Sequence, residues 1–221
     1  GAHVGICDVN ESALADAQAQ IEALGVKAVG VVCDVSDADS VHHFFQTAEE
    51  ELGGVDITLN NAGVAAPLTL LADTTEADFE RVMGINLKGT WLGMRESLRR
   101  MLPRGQGTII NMASAMSKKS YPGSGFYTTS KFAVAGMTRN TAVEYADQGI
   151  RINAICPGNI LTPLLKQSVS EDIQRQLAEA HPMKRLGEVD EIASCAVFLA
   201  SEASSFMTGT LLSVDGGWTA L

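Results

Sequence analysis

Tyr127 and Lys131 stand four residues apart, so on a helix their side chains share one face. A free phenol ionises at a pH of about 10 and carries protons poorly near neutrality. A neighbouring ammonium favours the phenolate, and the pair could then work as a general acid/base. A surface tyrosine beside a solvated lysine would show the same spacing. Ser114 lies thirteen positions before Tyr127, just after the apolar run Thr108 to Met112. Its hydroxyl could hydrogen-bond a substrate carbonyl or alkoxide, or belong to a turn, as Ser117, Ser120 and Ser124 could. Asn86 falls where a long helical stretch is interrupted. An asparagine there competes with the backbone for hydrogen bonds. It could hold a water or a backbone group, or cap a helix.

The elements that must position these residues alternate. Val4 to Cys7, Lys27 to Val32, Asp56 to Leu59, Thr108 to Met112, Ile150 to Ile155 and Leu211 to Val214 read as strands. Glu11 to Leu24, Asp37 to Leu52 with Ser36 as a candidate N-cap, Tyr127 to Tyr145, Glu171 to Ala180 and Val189 to Ala200 read as helices. Thr75 to Met101 reads as two helical pieces broken near Gly84 to Asn86. Strand and helix in alternation predict one α/β domain, a doubly wound parallel sheet of the Rossmann type, over residues 1–221. Strands that are near-continuous apolar runs suit a sheet covered on both faces. Ligands in such sheets bind beyond the carboxyl ends of the strands, where all the residues above fall.

Composition narrows the function. The chain has 221 residues, 46% of them hydrophobic, and a net charge of -10 with the acidic residues dispersed. That balance disfavours nucleic acid as a partner. No apolar run is long enough for a bilayer and no charged-then-apolar signal opens the sequence, so no membrane partner and a cytoplasmic location are expected. Cys7, Cys33, Cys156 and Cys195 fit no zinc or redox spacing and read as reduced core residues. No metal site is expected.

Taken in order, these residues resemble the short-chain dehydrogenase/reductase family. Ser114, Tyr127 and Lys131 match its catalytic triad, and Asn86 completes the tetrad. Asn60-Asn61-Ala62-Gly63, Pro157-Gly158-Asn159-Ile160-Leu161-Thr162, Arg185-Leu186-Gly187-Glu188, Glu191-Ile192-Ala193 and Asp215-Gly216-Gly217 match its further motifs. The resemblance implies that Tyr127 takes the alcohol proton as hydride leaves for a nicotinamide. It implies that Lys131 lowers the tyrosine pKa and bonds the nicotinamide ribose, that Ser114 steadies the carbonyl oxygen, and that Asn86 positions a water of the proton relay. It also implies a homotetramer with dihedral symmetry, and a small-molecule alcohol or ketone as substrate.

On the cofactor side, Asp8 ends the first strand, where an acid accepts both adenosine ribose hydroxyls and repels a 2'-phosphate. No Lys or Arg follows before Lys27, so NAD is expected over NADP. Asp34-Val35 matches the adenine-contacting pair, although Asp34 could also be a helix cap. Asn61 matches the residue lining the adenosine half, and Ile160 and Thr162 match the carboxamide-holding positions. The family's Thr-Gly-x-x-x-Gly-x-Gly loop and first strand have no counterpart; they would lie about thirty residues before Gly1, one strand–helix unit. The chain therefore reads as a fragment whose first and third strands expose unpaired edges. Leu161 to Arg185, with Leu164, Leu165, Ile173, Leu177 and Met183, reads as a lid within residues 160–187. Its apolar residues could face a substrate or pack the helix down. Met116, Pro122 and Phe126 flank the catalytic residues. Two alternatives remain: an NADPH-dependent 3-oxoacyl-thioester reductase, and a non-catalytic dinucleotide-binding regulator or scaffold.

Overall fold

The computed structural model describes residues 1–65, 67–162, 165–166 and 169–221; Leu164 of the expected lid lies outside them. Strands and helices alternate as β1 (Val4–Asp8), α1 (Glu11–Glu22), β2 (Ala28–Val32), α2 (Ala38–Leu52), β3 (Ile57–Asn60), α3 (Glu76–Met83), α4 (Thr90–Met101), β4 (Gly107–Met112), α5 (Gly125–Tyr145), β5 (Ile150–Pro157), α6 (Glu171–Glu179), α7 (Val189–Ala200) and β6 (Leu211–Val214). Local chemistry sets the ends. Asn10 caps α1 by accepting from the Ala13 N–H. Asp37, not Ser36, caps α2 by accepting from the Ser40 N–H. Ser36 instead donates to the Asp34 carboxylate through both its N–H and its hydroxyl.

Helix α3 does not break before α4. Residues Gly84–Gly89 form one π-helical turn, and the rod runs on from Glu76 to Met101. The expected interruption is thus one surplus residue wound into the helix, a feature often found at functional sites. Gly89 lets this turn approach Val35, since a side chain there would begin 2.8 Å from Val35 Cγ2.

All strand pairings are parallel, and the strands form two sheets, β1-β2 and β3-β4-β5-β6. Ile109, Ile110, Ile152 and Ile155 of the central strands are buried, with α5 and α7 packed over them. Among the described residues the facing edges of β1 and β3 have no strand partner, as the sequence predicts. Both line one cleft of about 780 Å³. Helix α2 joins the two sheets, packing on β1, β2 and α4. Val41 and Phe45 of α2 form an apolar cluster with Cys33 and Leu92. Beside it the Glu96 carboxylate, 1% exposed, meets His42 at 3.0 Å and Arg99 and Arg100 at 2.8 Å. Arg100 also reaches Glu49 of α2 at 3.0 Å. Burial works against the Glu96 charge, yet hydrogen bonds from Arg100 and His42 hold its pKa down at about 2.

The four cysteines are free; Cys33 and Cys156 are buried, whereas Cys7 and Cys195 are only half-buried, a partial correction of the expected core role. No described helix is long and apolar enough to cross a membrane.

Candidate active site

The site forms at the carboxyl ends of β3, β4 and β5. Strand β4 ends at Met112, and Ser114 follows in extended backbone at the start of a 3-10 turn, Ala115–Ser117. Its hydroxyl accepts from the Met116 N–H at 3.1 Å. Ser117 donates to the Lys131 carbonyl at 2.8 Å and accepts from the Ser114 N–H at 3.3 Å. One small side chain thereby ties the serine turn to the helix that carries Tyr127 and Lys131. Helix α5 then places Tyr127 and Lys131 one turn apart, both largely buried; Lys131 is 4% exposed.

The ammonium donates to the Met112 carbonyl at 2.8 Å and lies 5.7 Å from the centroid of the Tyr127 ring. This geometry corrects the expected electrostatics. Burial pushes the Tyr127 phenol above its usual range, and the neighbouring Ser114 hydroxyl pulls it back. The lysine sits over the ring face and does not bond the phenol oxygen. Burial also lowers Lys131 to about 8.

Asn86, fully buried in the π turn, holds the loop after β3. Its Oδ1 accepts from the Val64 N–H at 2.8 Å, and its Nδ2 donates to the Val64 carbonyl at 3.0 Å and to Ser130 at 3.2 Å. The side chain is therefore occupied by the Val64 backbone and by Ser130, and holding a backbone group is one of the uses foreseen for it. Gly63 completes the junction: a side chain there would begin 3.3 Å from Asn86 Oδ1 and 3.5 Å from Lys131 Nζ. A second buried set braces the same strand ends. Asn60 donates to Asn111 at 2.8 Å, and Asn111 donates to Thr138 of α5 at 2.9 Å. Sequence reasoning missed Ser117, Ser130 and Asn111. Only Ser117 left a signal, the Ser-x-x-Ser spacing of a capping box.

The cofactor-side residues divide. Asp8, Val35 and Asn61 line the cleft between β1 and β3. Asp8 is exposed and accepts from the Asn10 N–H at 2.8 Å. Asp34 is engaged by Ser36 and does not take the helix-cap role weighed for it, which falls to Asp37. Ile160, in a parallel bridge with Gly187, and Thr162, whose hydroxyl accepts from the Leu165 N–H at 3.2 Å, stand beyond β5. Among the described residues, no group of three or more metal-ligating side chains converges.

Comparison with known proteins accords with this layout. A family model described as Enoyl-(Acyl carrier protein) reductase matches residues 1–219. The cis-4-hydroxycyclohexanecarboxylate dehydrogenase of Sinomonas cyclohexanicum is 40% identical over 221 residues, covering all of this chain and 88% of that protein. A gluconate 5-dehydrogenase from Burkholderia cenocepacia J2315, solved with NADP and tartrate, superposes with a TM-score of 0.93 at 33% identity, covering 100% of this chain and 87% of that one. An NAD+-bound xylitol dehydrogenase superposes with a TM-score of 0.92 at 32% identity, covering 98% and 89%. The serine turn, the buried tyrosine–lysine helix and these matches lead to one assignment: the chain belongs to the short-chain dehydrogenase/reductase family of oxidoreductases.

Proposed function

We propose that the protein interconverts a secondary alcohol and its ketone with NAD(H), Tyr127 carrying the proton. The observation that carries this reading is the convergence of Ser114, Tyr127 and Lys131 at the end of β4, locked together through Ser117. In alcohol oxidation the substrate C–H leaves as hydride and its O–H proton passes to the Tyr127 oxygen. In reduction Tyr127 returns that proton to the forming alkoxide. The Ser114 hydroxyl donates to the substrate oxygen and holds it at the phenol. Lys131, whose pKa burial holds down at about 8, would bond the nicotinamide ribose beside the tyrosine. Asn86 keeps the Val64 loop clear of the lysine.

The bound nicotinamide supplies the hydride acceptor or donor. The residues fit such a group: Gly63 leaves the lysine side open, and Asp8 presents an exposed carboxylate at the end of β1. Asp8, Asp34, Val35 and Asn61 would hold the adenosine half, and Lys131, Ile160 and Thr162 the nicotinamide half. The related structures bind NAD in one case and NADP in another, so the choice rests on this chain's own residues. Asp8 with no cation between it and Lys27 favours NAD. The exposed Trp91, Phe132 and Val143 on α4 and α5 suit a homotetramer built on those helices. Four free thiols suit the reducing cytoplasm.

Replacing Tyr127 with Phe tests the chemistry. Turnover should fall by about 10²–10⁴-fold while NAD+ affinity, read by titration, stays within about twofold. Undiminished turnover in Y127F would refute the mechanism.

A further inference from the structure

One buried titratable side chain takes no part in the proton transfer above. His181, 2% exposed, follows α6 and spends both ring nitrogens on backbone. Its Nδ1 lies 2.8 Å from the Leu177 carbonyl of α6, and its Nε2 lies 3.2 Å from the Asn159 amide nitrogen. A carbonyl can only accept and an amide N–H can only donate. One form of the ring satisfies both: the neutral imidazole with its proton on Nδ1. The other neutral form fails at both ends, and the cation would set N–H against N–H at Asn159.

The turn that His181 reaches lies beside the candidate site. Met112 of β4 and Ile155 of β5 are in register, so Ser114 and Asn159 leave neighbouring strands at their carboxyl ends. The Asn159 carbonyl accepts from the Gly187 N–H at 3.0 Å, and the Gly187 carbonyl accepts from the Leu161 N–H at 2.8 Å. The Asn159 amide is left to His181. Gly158 leaves room for the ring, because a side chain there would begin 2.7 Å from Nε2. Trp218 walls the ring in, with centroids 5.4 Å apart. The neighbouring charges are engaged elsewhere. Asp215 accepts from the Gly217 N–H and from the N–H and hydroxyl of Thr219. Arg185 holds Glu191, and Lys119 donates to the Trp218 carbonyl.

Building on the hydride-transfer reading above, which gives Ile160 and Thr162 to the nicotinamide half, we propose that His181 is a positioning residue for that half. It accepts from the Asn159 amide and so ties the turn that carries Ile160 to α6. Without that acceptor the turn is released and the nicotinamide is misplaced. The adenosine half, given to Asp8, Asp34, Val35 and Asn61, is untouched.

The test titrates the whole protein by calorimetry with NAD+ and with ADP-ribose, which lacks the nicotinamide. His181→Leu should weaken NAD+ binding by about tenfold and leave ADP-ribose within about twofold. His181→Gln, whose amide oxygen can accept from Asn159, should recover most of the loss. Equal weakening of both ligands, unchanged NAD+ affinity in H181L, or no recovery in H181Q would each overturn the inference. Should H181L not fold, nitrogen NMR of the wild-type ring decides. The proton should sit on Nδ1, and the ring signals should move on adding NAD+ but not ADP-ribose. A proton on Nε2, or signals that NAD+ leaves in place, would overturn the inference. Failure of the wild-type protein to bind NAD+ would instead sink the hydride-transfer reading.

Discussion

Strands β4 and β5 and strands β1 and β2 are built from similar apolar residues, yet they end in different surroundings. β4 and β5 each have a strand on both sides, and their isoleucines are buried. Among the described residues β1 and β2 pair with each other alone; most of their residues are half-buried, and Val32 is 51% exposed. Composition is thus a poor guide to burial in a parallel sheet, where a strand's neighbours decide how much of it leaves water. The site follows the same division. The residues proposed for proton transfer sit on the well-buried sheet, and those proposed for the adenosine half sit around the other.

The comparison can be broken most sharply by stability. Ile152→Ala in β5 should cost about 2–5 kcal/mol, whereas Val31→Ala in β2 should cost about 1 kcal/mol or less, both measured by urea unfolding. Equal losses would show that the two sheets share one core. Next comes the joint. Glu96→Gln strips the buried carboxylate from Arg99, Arg100 and His42 and should cost about 3 kcal/mol. Hydrogen exchange should quicken in β1 and β2 before β4 and β5; uniform quickening would refute α2 as the joint. The same residue gives an acid signature. Its folded pKa of about 2 lies below the ordinary value of 4.5, so its stabilisation is full above that value and fades as pH falls towards 2. E96Q should flatten that limb of the pH–stability curve. A signature of the opposite limb belongs to Lys131, whose folded pKa of about 8 lies below the ordinary 10.5. Between those values the unfolded chain binds more protons, so stability should rise with pH. Lys131→Met should remove that rise.

Much of this architecture was legible in the sequence. Each strand of the sheet was an apolar run bounded by turn residues, and Val189–Ala200 and Leu211–Val214 were read to the residue. The helical rod from Glu76 to Met101 was harder, because one surplus residue shifts the apolar phase just as a break would. The grouping of Ser114, Tyr127 and Lys131 was implied by the family resemblance, whereas spacing alone left a surface tyrosine and a turn serine open. Asn111 and Ser130 were invisible for another reason. Their partners are 51 and 44 positions away, and a buried polar residue looks like any other until the far partner is known. The tyrosine–lysine electrostatics also escaped, because spacing shows that two groups are near but not how deeply they lie from solvent.

The π turn has a consequence for the length of this chain. An α-helix advances about 100° per residue. A π turn takes more residues per turn, so the surplus residue is absorbed within Gly84–Gly89 and both flanks keep their faces, Asn86 towards Val64 and Leu92 and Glu96 towards α2. Deleting one residue there would return the segment to ordinary winding and leave α4 in its place. The loss would fall on Asn86 and the loop it holds, not on the joint.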